Sequence, residues 1–424
     1  MALVIAAATL VACGAPEPPG ATGGTDVPVG LCGRGLVVVS TDFQSTNVSL
    51  VGTGGQVLSE SFISSASADA QLSAPLSGDV VTPTEPQLGA EIVLLDRYPA
   101  SVLTWVDVAA GTVRGQLDVA TGFAANPQDY VAVSETKAYV SRHEGNPTPG
   151  AEPFDGGNDL LVVDPRGPQV VGRIDLLPAM DDAPGFLPRP NRMVRLAERL
   201  YVLLSGYSAD YTDSAPSRIV TIEVATDTIL GVTVLDGLHG CAGLAIAPRF
   251  APVGAPVAQP DLAVACCGDC VSANASLAEA GVVVLSTQGD LPTETDRWTA
   301  ADLLGQPMGL SLDFVDDSHL LVTALGSFEP PVLDAVFELA IQTGEVREIL
   351  RSDEQPFELG EVRCLTAVAG ADAPAEDACG GCFIADAEHN RLHRLAGAGT
   401  GLVLVESIVV DTSIGLPPRV LGRF

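Results

Sequence analysis

The feature that most constrains this chain is a unit of four short β-type segments that recurs along it. In its clearest form the unit follows Asn126-Pro127 and runs Tyr130-Val-Ala-Val-Ser134, Lys137-Ala-Tyr-Val-Ser141, an insertion, Asp159-Leu-Leu-Val-Val-Asp164 and Val170-Val-Gly-Arg-Ile-Asp175. Its β-branched and aromatic residues suit a pleated, half-buried surface. The turn residues between the last two segments, Asp164-Pro-Arg-Gly-Pro168, cannot continue a strand. The order returns after Pro190-Asn191, with Met193-Val-Arg-Leu196, Arg199-Leu-Tyr-Val-Leu203, Arg218-Ile-Val-Thr-Ile-Glu223 and Thr228-Ile-Leu-Gly-Val232. It returns again after Gln306-Pro307, with Met308-Gly-Leu-Ser-Leu312, His319-Leu-Leu-Val-Thr323, Ala335-Val-Phe-Glu-Leu339 and Glu345-Val-Arg-Glu-Ile349. Weaker copies open near Gly89, at Gly240-Cys241 and at Gly360-Glu361. A four-stranded unit cannot bury both its faces alone, and units spaced by roughly 45 to 65 residues stack radially on their neighbours. The expected fold is therefore all-β, a β-propeller of about seven four-stranded blades over residues 31–424.

The first unit is incomplete. It opens at Gly35-Leu-Val-Val-Val-Ser40, a second-strand type, with no proline-led strand before it. The last segment of the chain, Gly415-Leu-Pro-Pro-Arg-Val-Leu421, has the character of that missing strand. A C-terminal strand completing the first blade would close the ring and remove the edges a cut ring exposes. With a proline before the inner strand, a Tyr-Val-type second strand (Tyr139-Val140-Ser141, Tyr201-Val202) and an Asp-flanked third, the units resemble the YVTN and NHL repeats of bacterial WD40-like propellers. That resemblance implies the fold and leaves the activity open, since propellers host unrelated functions.

Composition agrees with many short strands. Hydrophobic residues make up 47% and charged residues 17%, too apolar for disorder, while 44 Gly and 31 Pro oppose long helices. The formal charge is −32, and Lys137 is the only lysine. Such a chain repels phosphate backbones and offers no basic stripe, which excludes a nucleic-acid partner.

Residues 2–12 form an uncharged apolar run, too short to span a bilayer and suited to the core of a signal peptide. Leu10-Val11-Ala12-Cys13, which ends it, resembles the bacterial lipobox. The resemblance implies a lipoprotein signal peptide over residues 1–12 and a diacylglycerol-modified Cys13 as the mature N-terminus. It also implies a bacterial cell-envelope protein, lipid-anchored to a membrane facing the periplasm or the exterior. Residues 13–30, rich in Gly and Pro, read as a tether between the lipid and the folded domain.

Beyond Cys13 stand Cys32, Cys241, Cys266, Cys267, Cys270, Cys364, Cys379 and Cys382, an even set for which disulfides are expected in an exported chain. Connectivity stays open, although Cys241 and Cys364 sit on inner strands just ahead of the two C-x-x-C pairs, and Cys32 is placed to join blade one to a neighbour. Cys267-Gly-Asp-Cys270 and Cys379-Gly-Gly-Cys382 lack the following His of a haem site and the spacing of a zinc ribbon. His389-Asn-Arg-Leu-His393 would share a helix face, but the surrounding residues read as a turn entering a strand, which leaves both histidines on the surface. Asp155-Gly-Gly-Asn-Asp159 and Asp181-Asp182 do not follow a calcium-loop spacing and read as solvated loop carboxylates. No metal site is therefore assigned.

Inner strands of a propeller converge on its channel, so the residues just before them are candidates for a ring around one mouth: Asn126, Asn191, His239, Gln306 and Glu361. No residue is assigned as catalytic and no cofactor is expected. The expected function is a non-catalytic, monomeric, membrane-anchored scaffold that binds a protein, a glycan or a small molecule. The alternative is a lactonase-like hydrolase at the channel mouth, using His239 and Glu361 with a divalent metal. A quinoprotein dehydrogenase, which would resemble propellers with a tryptophan in each blade, does not fit a chain with only Trp105 and Trp298.

Overall fold

A computed structural model describes residues 24–67, 71–247, 261–270, 276–366, 379, 381–397 and 401–424. The expected signal peptide, Cys13 and most of the expected tether lie outside the described residues. Among these residues the chain is built of strands, with two 3-10 turns and no α-helix.

Blade 1 contains β1 (Gly35–Thr41), β2 (Thr46–Gly52) and β3 (Val57–Ser64). Blade 2 contains β4 (Val80–Val81), β5 (Glu91–Asp96), β6 (Val102–Asp107) and β7 (Val113–Asp118). Blade 3 contains β8 (Pro127–Ser134), β9 (Lys137–Gly145), β10 (Gly157–Asp164) and β11 (Gln169–Asp175). Blade 4 contains β12 (Pro190–Leu196), β13 (Arg199–Leu204), β14 (Arg218–Glu223) and β15 (Thr228–Val234). Blade 5 contains β16 (Cys241–Ile246), β17 (Asp261–Cys267), β18 (Ala280–Ser286) and β19 (Thr293–Thr299). Blade 6 contains β20 (Met308–Asp316), β21 (His319–Ala324), β22 (Ala335–Ala340) and β23 (Val346–Arg351). Blade 7 contains β24 (Leu359–Leu365), β25 (Gly381–Asp386), β26 (Arg391–Gly397) and β27 (Leu402–Ile408). The last strand, β28 (Pro418–Arg423), joins blade 1, so that seven four-stranded antiparallel sheets form the ring.

Closure follows the expected route. β28 lies antiparallel to β1, with Leu36 opposite Arg423 and Val38 opposite Leu421, so the inner edge of blade 1 is paired. Cys32 and Cys379 form a disulfide that also ties blade 1 to blade 7. Cys241–Cys266 and Cys364–Cys382 link directly opposed residues of β16/β17 and β24/β25, with Cα atoms 3.8 and 3.9 Å apart. Cys267–Cys270 closes the turn after β17.

The blades cohere through apolar layers between their faces, such as Val282, Val284, Phe314, Leu320 and Phe337 between blades 5 and 6. Of the outer strands, β19 (Thr-Glu-Thr-Asp-Arg-Trp-Thr) is the most polar, with its first four residues exposed. Carboxylates on inner strands add direct latches from one blade to the next. Asp129 accepts a hydrogen bond from the Met193 N–H (2.7 Å), Asp313 from the Cys364 N–H (3.0 Å) and Glu361 from the Leu421 N–H (3.0 Å).

β4 is two residues long because the chain then leaves the sheet. Pro83 and Pro86 lack the N–H a ladder needs, and residues 82–86 instead cross the channel. Thr84 N–H donates to Asp129 in blade 3, the Arg195 N–H of blade 4 donates to Glu85, and Arg423 of blade 1 donates to the Thr84 carbonyl. A cavity of about 20 Å³ remains beside this plug, walled by blades 4 to 7 and by Arg423.

Two surface expectations are corrected. His393 is buried on β26, where Nε2 is 2.8 Å from Asp386 and Nδ1 is 3.0 Å from Ser407; both faces of β26 pack against neighbouring blades, Leu392 towards blade 1 and Leu395 towards blade 6, so neither side of the strand is left in solvent. The carboxylates of the 155–159 loop are also buried: Asp159 forms a bidentate pair with buried Arg142, and Asp155 accepts the N–H groups of Gly150, Ala151 and Glu152. A buried carboxylate needs such partners, and the loop supplies them.

Candidate functional site: the upper mouth of the channel

In a four-stranded antiparallel meander the start of the inner strand and the turn between the second and third strands lie on one face. That face, here called upper, carries the open end of the channel, since residues 82–86 fill the lower end. An upper cavity of about 240 Å³ is framed by blades 1, 2, 4, 6 and 7. Its floor is an ion pair across the channel, Arg192 of β12 with Glu361 of β24 at 2.5 Å.

Glu361 is fully committed. One oxygen takes Arg192, the other takes the Leu421 N–H, and Arg363 stands 3.2 Å away. Burial alone would raise its pKa, but Arg363, Arg192, the Leu421 N–H and Arg97 outweigh it and hold the carboxyl below the usual range. Arg192 also reaches the Thr82 carbonyl at 3.4 Å, which joins the floor to the plug.

The walls are largely apolar, from Val80, Val81, Leu325, Leu359 and Val420. At the rim three large apolar side chains face solvent, Phe43 at 66%, Leu310 at 54% and Phe357 at 48% exposure. Phe328, also exposed, has its ring centre 5.7 Å from that of Phe357 and extends the patch outward. Phe43 occupies the β1–β2 turn, and the guanidinium of Arg419 lies 5.1 Å from its ring centre. Arg97 leads out of β5, pairs with Asp79 and donates to Gln128 at 3.1 Å.

Of the five residues proposed from the sequence, Glu361 lines this cavity. Asn191 precedes Arg192, and its carbonyl takes the hydroxyl of Ser141 at 2.8 Å. Asn126 lines a separate cavity with Tyr98, Phe123 and Glu144. His239 is held against Ser214, with Nδ1 at 2.9 Å, and Gln306 donates to the carbonyls of Leu325 and Leu333. The structure thus does not bring the five together. The residues sequence reasoning missed, Arg192, Leu310 and Ser311, lie one to five positions after Asn191 and Gln306, where the inner strands face the channel. Phe43 and Arg97 come from turns of other blades. The legible signal was charge within otherwise apolar inner strands, Arg192 in one unit and Glu361 and Arg363 in another.

Among the described residues, Asp386, Glu388 and His389 can gather ligand atoms within 4.8 Å of one another. They sit at the β25–β26 turn, where Asp386 is already bonded to His389 and His393, and Glu388 accepts the Asp353 and Glu354 N–H groups.

No sequence family matches this chain, and no curated protein is similar to it. Solved structures do share the fold. A proposed 6-phosphogluconolactonase from Bacteroides uniformis is 13% identical, with 91% of this chain and 98% of the other covered at a TM-score of 0.50. A second, from Bacteroides fragilis, is 11% identical, with 91% and 96% covered at a TM-score of 0.53.

Proposed function

We propose that this chain is an exported, lipid-anchored propeller that binds a small ligand in the upper mouth of its channel and performs no chemistry on it. The observation that carries the reading is the ring of exposed Phe43, Leu310 and Phe357 around a concave, largely apolar cavity. Large apolar groups kept in solvent at the lip of a cavity lose stability in the free protein and regain it when a ligand covers them. The plug at residues 82–86 supports a dead-end binding site rather than a conduit.

The names of the two similar structures suggest lactone hydrolysis, which here would fall to Glu361 and His239 with a metal. Glu361 offers neither a free oxygen nor a raised pKa, and His239 does not line the cavity. A general base needs access to its proton and a pKa near the working pH. Binding is the reading the geometry supports.

The test uses N-phenyl-1-naphthylamine, a neutral aromatic probe that fluoresces in apolar surroundings. One site per chain is expected, with Phe357→Ala weakening it about fivefold, or about 1 kcal/mol. Wild-type binding unchanged in Phe357→Ala and Phe43→Ala, or a stoichiometric divalent ion lost in Glu361→Ala, would overturn the reading.

The envelope assignment rests on the lipobox-like Cys13 and is supported by four disulfides, which persist in oxidising compartments. Cells expressing the protein and fed radiolabelled palmitate should label the wild type and not Cys13→Ala. Equal labelling of both would remove the anchor and leave the propeller standing.

A further inference from the structure

We infer that the ligand of the mouth cavity is an amphipathic organic anion, with an apolar body against Phe43, Leu310 and Phe357 and a carboxylate or sulfonate directed at Arg97, Arg192 and Arg419. The inference rests on the binding reading above and adds the charge and shape of the ligand.

Four guanidiniums stand at the cavity, Arg97, Arg192 and Arg419 in its lining and Arg363 beside Glu361, against the three carboxylates of Asp79, Glu361 and Glu358. This local excess of positive charge stands in a chain with 53 acidic residues against 21 Lys and Arg. Asp79 and Glu361 are spent on more than one cation or donor each. Glu361 serves Arg192, Arg363 and the Leu421 N–H, while Asp79 serves Arg97 and the Tyr98 N–H. The arginines keep unused donors. Nε of Arg419 is buried without a hydrogen-bond partner, and its two terminal nitrogens reach only the Phe357 carbonyl and Glu358. Charge-assisted hydrogen bonds from such guanidiniums to an anion are stronger than those between neutral groups. Arg97 adds a second donor group from the neighbouring blade 2, held in place by Asp79 and Gln128.

The apolar half of the ligand follows from the rim. Phe43 lies under the Arg419 guanidinium at 5.1 Å, and Phe357 stands beside Phe328 at 5.7 Å. A body inserted between these rings would meet apolar surface on two sides, with its charged end pointing to the floor. A cation would face the guanidiniums of Arg97, Arg192 and Arg419, and a neutral ligand would leave their charge unused. A volume of about 240 Å³ limits the buried part to a compact group, one or two fused rings or a short branched chain.

The experiment compares two probes that share a ring system and differ in one charged group, 8-anilinonaphthalene-1-sulfonate and neutral N-phenyl-1-naphthylamine. Titrated against the intact wild-type protein, the sulfonate is expected to bind about tenfold tighter, the scale of one charge-assisted hydrogen bond. Arg97→Gln should cut sulfonate affinity about fivefold or more and leave the neutral probe within about twofold, whereas Phe43→Ala should weaken both. Circular dichroism of each variant separates lost binding from lost fold, and the wild-type comparison stands without any variant. Equal affinities for the two probes in the wild type, or sulfonate binding unmoved in Arg97→Gln, would overturn the anion assignment while the cavity reading survives. Failure of both probes to bind would remove the cavity reading and this inference with it.

Discussion

Glu85 and Glu361 are the same residue type in one channel with opposite electrostatics. Glu361 sits among guanidiniums and stays ionised, whereas Glu85 is carried into the channel by the plug, where burial dominates. The Arg195 N–H, Arg195 and Arg423 favour its charge and Asp129 opposes it, leaving the carboxyl pushed up from 4.5 to about 7. Between those two values the native state holds a proton that the unfolded chain has released, so stability falls as pH rises through the window. The contribution is complete below about 4.5 and lost above about 7. Glu85→Gln is neutral throughout, so its stability advantage over wild type should grow from near zero at pH 4.5 to about 3 kcal/mol at pH 8. His143 works in the other direction, since burial and then Arg189 hold it down at about 4 and keep it neutral. That term is common to both proteins and cancels in their difference. Urea denaturation at pH 5, 6.5 and 8 measures the difference, and a constant offset would show that Glu85 is ionised in the native state.

At the scale of elements, strands were legible wherever local chemistry decides them. The Asp164-Pro-Arg-Gly-Pro168 turn fixed the β10–β11 hairpin, and Pro417-Pro418 ahead of a short apolar run marked the closing strand β28. β4 escaped notice because Val80 and Val81 are followed by Thr82-Pro-Thr-Glu-Pro86, which reads as a linker. Only the surrounding ring turns that segment into a plug, since its partners, Asp129, Arg195 and Arg423, come from three other blades. His393 was misplaced for a related reason. Its neighbours fix a turn and a strand, but the burial of both faces of β26 comes from blades 1 and 6, which pack on either side of it. The mouth follows the same logic. Glu361 was found from its place before an inner strand, while its partner Arg192 lies 169 residues away and across the channel. Local periodicity carries no information at that range, and one misjudged register position moves a side chain to the other face.

For the whole molecule, the question is what keeps a ring of similar blades closed. Hydrophobic faces hold each blade to its neighbour, but one junction must join residues from the two ends of the domain. Here two devices share it, the β28–β1 pairing and the Cys32–Cys379 disulfide. The disulfide spans 347 residues, while Cys241–Cys266 spans 25 and stays within a single blade. In the chain-entropy view a cross-link acts on the unfolded state in proportion to the logarithm of the loop it closes. The ring-closing bridge should then contribute about 5 kcal/mol and the local one about 3 kcal/mol. The double variant Cys32→Ser/Cys379→Ser is therefore expected to lose more stability than Cys241→Ser/Cys266→Ser in matched urea titrations. Its closing junction would then rest on the β28 pairing, so protease should trim the C-terminus of this variant before it cuts the blades. A local variant that loses as much stability, or a ring variant whose C-terminus stays as protected as that of the wild type, would place the closure in the blade faces instead.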